Sequence, residues 1–183
     1  MSLQTIVEYW KKTDLTGDEI INLIQKPPIL YSDLAKYKSI DEVLGEEKYA
    51  VVLYQTSSKT SGHYISLSYN DNTGVYRYMD SYALSPDREL QYTPYDQALP
   101  TYLIDMLSKV KYEVNTFDYQ SLHKGVSTCG RYASVFCLLR NFTLTEINEL
   151  LTKNKDAYIN VPDNAICLLT LVALKDIRRY KSK

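Results

Sequence analysis

The chain has 183 residues, 45% of them hydrophobic, and a formal net charge of -1 from 21 basic and 22 acidic side chains. That length supports one substantial core and is short for two, and the near-neutral balance excludes a polybasic nucleic-acid binder. No apolar run approaches the roughly 20 residues of a membrane span, and the start from Met1 to Trp10 lacks the apolar stretch of a secretory signal, so a non-secreted protein with no membrane partner is expected. Three cysteines, Cys129, Cys137 and Cys167, are odd in number and widely spaced, which fits reduced thiols better than a disulfide framework. The stretch from Lys175 to Lys183 holds five basic residues and one acid. It reads as a solvated helix end favoured by the helix dipole, and it is the one feature suited to nucleic acid.

Residues 1–26 read as helical, broken at Asp14–Asp18, with Thr16 or Asp18 capping a short helix over Glu19 to Gln25. Pro27 and Pro28 end it. Ile29 to Tyr31 reads as a short extended piece, and Ile40 to Leu44 as a helical turn closed near Gly45. Tyr49 to Tyr54 is nearly all apolar, which predicts a central strand. Gln55 to Gly62 reads as a polar loop. His63 to Tyr69 alternates, with Tyr64, Ser66 and Ser68 on one face and His63, Ile65, Leu67 and Tyr69 on the other. Asn70 to Gly74 predicts a hairpin connection, and Val75 to Met79 the returning strand. Such a pair can bring His63 and Asp80 to one end of the sheet. Leu99 to Val110 has helical spacing, Lys111 to Phe117 alternates weakly as a strand, and Asp118 to Thr128 is a polar loop. Three helices follow: Cys129 to Leu139, Leu144 to Lys153 with Thr143 and Glu146 as a capping box, and Ala165 to Arg179.

The chemistry centres on Cys129, in Thr128-Cys129-Gly130-Arg131-Tyr132 at the head of an apolar helix. A thiolate is the reactive form of cysteine, and the positive end of a helix favours it; Cys137 and Cys167 read as core thiols. His63 is the candidate general base, since an imidazole titrates in the useful range. The alternative base is His123, the chain's other histidine, six residues before the cysteine in a polar loop; its plainer reading is a surface loop residue. Asp80 is the candidate orienting carboxylate. Gln120 is the candidate oxyanion donor, together with the Cys129 backbone N–H; Asn115 is the alternative amide. Arg131 either lines a groove or makes a structural ion pair, and Tyr132 is likewise open. No zinc-type spacing and no phosphate-cradling glycine loop is present, so neither a metal nor a cofactor is expected for the chemistry.

These residues resemble the adenovirus-protease-like and Ulp1-like cysteine peptidases in their order: His63 within Gly62-His63-Tyr64, Asp80 within Met79-Asp80-Ser81, Gln120, then Cys129-Gly130. The Thr-Cys-Gly-Arg form and the stretch Pro28 to Leu34 look most like the capsid-maturation proteases of virophages, Maverick-type elements and adenoviruses. The resemblance covers about residues 28 to 150. It implies an α+β, papain-like or adenain-like fold, in which a mixed β-sheet packs on a central helix carrying the nucleophile at its N-terminus. It also implies a single peptidase domain over 1–183 with helical flanks. The implied activity is cleavage of viral capsid or other precursor polypeptides, often beside glycine, in the virion or the viral factory of the host cytoplasm or nucleus. The adenovirus enzyme is assisted by DNA and by a peptide, which leaves an activating peptide or DNA open here; nucleic acid would act through the tail 175–183. A protease for SUMO- or ubiquitin-like proteins would use the same four residues. An acyltransferase effector and an inactive binding module are the remoter readings.

Overall fold

The computed structural model describes residues 2–181 except 59, 60, 95, 97 and 124. The fold is α+β. Five strands form one mixed sheet in sequence order: β1 (Ile29–Leu30), β2 (Tyr49–Ser58), β3 (Ser61–Asn70), β4 (Val75–Met79) and β5 (Tyr112–Val114). The central three pair antiparallel, while β1 joins β2 and β5 joins β4 in parallel. The α-helices among the described residues are α1 (Leu3–Lys11), α2 (Gly17–Ile24), α3 (Ile40–Leu44), α4 (Tyr102–Leu107), α5 (Cys129–Leu138), α6 (Leu144–Thr152) and α7 (Pro162–Lys181). Short 3-10 helices span Tyr31–Lys36 and Arg88–Tyr92. The side chains of the basic run from Lys175 lie outside the described residues.

The turn chemistry of the sequence explains the central hairpin. The Asn70 side-chain carbonyl accepts from the N–H groups of Asn72 and Thr73, closing a local turn, and Gly74 takes the positive φ of 69° that completes it. Thr16 and Thr143 form capping boxes with Glu19 and Glu146, fixing the starts of α2 and α6.

Both faces of the sheet are covered. On one face Val52, Tyr54, Ile65 and Leu67 pack against Tyr31, Leu34, Val43, Leu103 and Leu107. Burying each such aliphatic side chain contributes about 1.5–3 kcal/mol. On the other, Val51 and Tyr64 meet Ala133 and Cys137 of α5, with Ile20, Leu23 and Leu174 beside them. Ser66 and Ser68, the polar face of β3, are also buried. From Gly130 to Cys137 every residue of α5 is buried, as its apolar sequence requires.

Two expectations are corrected. Gln55 to Gly62 is not a loop: β2 runs on to Ser58 and β3 begins at Ser61, with a register irregularity between Tyr54 and Ser58. Polar residues extend this hairpin because antiparallel pairing satisfies their backbone groups whatever their side chains. The helix expected over Leu99 to Val110 is shorter, because Pro100 N-terminal to Thr101 holds the chain outside the helix, and Lys109 and Val110 close it with turn bonds.

Gly62 sits where the irregular hairpin passes closest to itself. A Cβ there would lie 1.9 Å from the Tyr54 carbonyl oxygen and 2.6 Å from the Thr56 nitrogen, whereas one on Gly17 would meet nothing within 4 Å. Gly62→Ala should therefore destabilise the fold by about 1–3 kcal/mol through backbone displacement, and Gly17→Ala should be neutral or stabilising by up to about 1 kcal/mol. Urea unfolding midpoints of the two variants check this; equal midpoints would contradict it.

Candidate functional site

Cys129 is the first residue of α5. Its neighbour Thr128 does not cap the helix with its hydroxyl, which instead donates to Asp163 Oδ1 at 2.6 Å. The first N–H groups of a helix lack intrahelical acceptors, and none is found for the Cys129 N–H among the described residues. The thiol is partly exposed, with Sγ 3.9 Å from the Gly62 carbonyl oxygen.

His63, on β3, is buried. Its Nε2 lies 3.1 Å from Asp80 Oδ1 and 3.8 Å from Glu89 Oε1. The Cys129 thiol lines the same cleft as the ring, and Tyr82 stacks on the ring at 5.0 Å between centroids and 24° between planes. Burial of the ring opposes its charge, but Asp80, acting by charge and hydrogen bond, and Cys129 outweigh it and hold the His63 pKa well above the ordinary imidazole value.

Asp80 follows β4 directly and is fully buried. Oδ1 also accepts from the Tyr82 N–H at 2.7 Å, and Oδ2 from the Tyr78 hydroxyl at 3.4 Å. Asn115 fixes its backbone: Oδ1 accepts from the Asp80 N–H at 2.8 Å and Nδ2 donates to the Asp80 carbonyl at 2.7 Å. That amide is thus engaged with Asp80 and is not turned to the cleft as an alternative oxyanion donor.

Gln120 is buried, and its Oε1 accepts from the Ser81 hydroxyl at 2.7 Å. The N–H groups of Tyr119 and Gln120 both reach the Ser81 carbonyl at 2.9 Å. With Oε1 occupied, the amide presents Nε2, which among the described residues donates to the Val126 carbonyl at 3.5 Å. His63, Gln120 and Cys129 line one cleft of about 300 Å³, joined by Glu89, Tyr82 and Asp14. His123 is exposed and lines, with Phe117 and Val161, a different recess from the one that holds His63 and Cys129.

Arg131 is neither of the two things the sequence left open. It is fully buried, donating to the Thr13 carbonyl at 2.9 Å and the Thr170 hydroxyl at 3.3 Å, with its guanidinium 4.6 Å from the Trp10 ring centroid. Tyr132 donates to the Tyr119 carbonyl at 3.0 Å and belongs to the core.

Several site residues carried no signal in the sequence. Asp163, in the first turn of α7, accepts from Thr128 at one oxygen and from the Ser121 N–H at the other, tying the flank of Cys129 to the Gln120 loop. Glu89 comes from the 3-10 helix after Asp87. The N-terminal flank also reaches the site: the Ser127 N–H donates to the Lys11 carbonyl, and Asp14 to Gly17 wall a recess beside Cys129 and Gly130. Ligand atoms of His63, Asp80 and Glu89 lie within 4.8 Å of one another. No sequence spacing pointed to them, because they come from three separate elements.

No family model matches the chain. A Sputnik virophage protein, uncharacterized protein V9, is 27% identical to it over 175 residues, spanning 90% of this chain and 98% of its own. Among solved structures, the SUMO protease Ulp1 with its catalytic cysteine oxidized to a sulfinic acid covers 94% of this chain and 77% of its own, at 13% identity and a TM-score of 0.34.

Two predictions follow from these contacts. Asp163→Ala leaves the Thr128 hydroxyl and the Ser121 N–H unpartnered, so it should cost about 2–4 kcal/mol in urea unfolding; a loss under about 0.5 kcal/mol would refute the bridging role. For His63, the folded pKa lies above the unfolded value of 6.5. Its contribution to stability is therefore complete below about pH 6.5 and declines as pH rises towards the folded pKa, because the unfolded chain releases its proton first. His63→Gln should flatten that part of the stability curve; an unchanged slope would contradict it.

Proposed function

We propose that this chain is a cysteine endopeptidase of viral precursor polypeptides, acting as one domain through Cys129, His63, Asp80 and Gln120. The observation that carries the reading is the His63 ring, held by Asp80 at Nε2 and lining one cleft with Cys129 and Gln120.

In this reading Nε2–H donates to Asp80, which leaves Nδ1 to accept the thiol proton. The thiolate attacks the scissile carbonyl carbon while the imidazolium is stabilised by the buried Asp80 carboxylate. The oxyanion that forms is met by the Cys129 N–H and Gln120 Nε2, both available as donors. His63 returns its proton to the leaving amine, giving a thioester. Water, activated by the neutral imidazole, then hydrolyses the thioester and restores the thiol. Ser81 acts by holding the Gln120 amide in the donating orientation.

The viral setting is supported by the likeness to the virophage protein, which extends over nearly the whole of both chains. Capsid or other virion precursors are the substrates proposed, in keeping with the adenain-like order of the site residues. The test is mass spectrometry of candidate precursors incubated with wild-type protein and with Cys129→Ala. Discrete cuts lost in the variant are expected. Asp80→Asn should lower kcat/KM by about 10²–10⁴-fold, and Gln120→Ala by about 10²–10³-fold. Cuts that persist in Cys129→Ala would remove the nucleophile assignment, and cleavage confined to ubiquitin-like probes would move the substrate class.

A further inference from the structure

We propose that Glu89 is a positioning residue for His63: a second carboxylate at Nε2 that shares the imidazolium with Asp80 and holds the ring when Asp80 cannot. This rests on reading His63 as the general base.

Geometry is the first support. Nε2 faces Asp80 Oδ1 at 3.1 Å and Glu89 Oε1 at 3.8 Å, so a small rotation of the ring turns its N–H from one to the other. Asp80 does not serve His63 alone, since the same Oδ1 accepts the Tyr82 N–H. The second support is burial. Glu89 is only 4% exposed, and the opening it lines is the cleft it shares with His63. A carboxylate removed from water is kept where a counter-charge meets it, and the cation within ion-pair distance of Glu89 among the described residues is His63.

The third support is that Glu89 is held from outside the site. It sits on the 3-10 helix that begins after Asp87, a residue at φ 61°. The Asp87 carboxylate accepts from the Tyr31 hydroxyl at 2.7 Å and the Ile104 N–H at 2.8 Å, so the 3-10 helix is anchored to the opposite core. The charged and titratable groups around His63 are Asp80, Glu89, Cys129 and the stacked Tyr82, with Tyr78 behind Asp80 and Asp14 across the cleft. Burial raises the Glu89 pKa, the His63 charge draws it part of the way down, and the neighbouring Asp80 charge raises it further.

The experiment follows the imidazole itself. The chain has two histidines, so ¹⁵N-histidine spectra resolve His63, with exposed His123 as the internal reference. In a Cys129→Ala background, which removes coupling to the thiol, Glu89→Gln should lower the His63 midpoint by about one pH unit or more, a tenfold change in proton affinity, and leave His123 in place. Asp80→Asn alone should leave the His63 midpoint above 6.5, because Glu89 takes the Nε2–H, and adding Glu89→Gln should bring it to that value or below. Glu89→Asp keeps the charge and should retain a measurable part of the elevation. In otherwise wild-type protein, Glu89→Gln should move the alkaline limb of kcat/KM to lower pH. A His63 midpoint that does not move in Glu89→Gln overturns the proposal. Should that variant not fold, collapse of the midpoint in Asp80→Asn alone overturns it. A shifted midpoint in a chain that cuts no precursor leaves Glu89 assigned and removes the peptidase reading, while cleavage with an unmoved midpoint removes Glu89 alone.

Discussion

The site depends on how closely α5 lies on β3. A helix headed by a thiol reaches a strand-borne imidazole only if the side chains between helix and sheet are small at the point of crossing. Here β3 offers Ser66 and Ser68, both buried, on the face that carries Tyr64. The helix answers with Gly130, where a Cβ would already touch Tyr64 and Leu15 at 3.4 Å. Further along, Cys137 approaches the Ala50 carbonyl of β2 at 3.7 Å. Interiors pack at crystal-like density, so larger residues at these positions would lift α5 and carry Cys129 away from His63.

Around that contact the fold uses buried carboxylates as fixed points. Asp163 ties Thr128 to the Gln120 loop, Asp87 ties the Glu89 turn to Tyr31 and α4, and Asp80 gathers His63, Tyr82 and Tyr78. A buried carboxylate left without donors is costly, so each enforces the geometry of the groups that satisfy it. Arg131 does the corresponding work as a cation, holding Trp10 and the Thr13 carbonyl against α5. The N-terminal flank thereby becomes a wall of the cleft rather than an appendage.

Much of the architecture was legible in the sequence because its causes are local. The alternation of His63 to Tyr69, the Asn70 to Gly74 turn, the capping box at Thr143 and the apolar run after Cys129 depend on neighbours within a few residues. Loss of local signal explains the misreadings: the polar hairpin from Gln55 to Gly62 is held by cross-strand backbone bonds that side-chain polarity does not report. The serine face of β3 read simply as polar, whereas its role is to admit a helix. The candidate residues His63, Asp80, Gln120 and Cys129 stood out by type and order alone.

The sequence by itself thus determined the α+β element pattern and singled out four candidate residues, since these rest on residue type, periodicity and turn preference. Tertiary structure alone decided what surrounds them. Glu89, Asp163, Asn115, Ser81 and the Asp14 to Gly17 wall come from segments far apart in the chain, and each is an ordinary polar residue in its local context. Their meaning arises from burial and from donors and acceptors that meet only when the sheet, α5 and α7 close around one cleft.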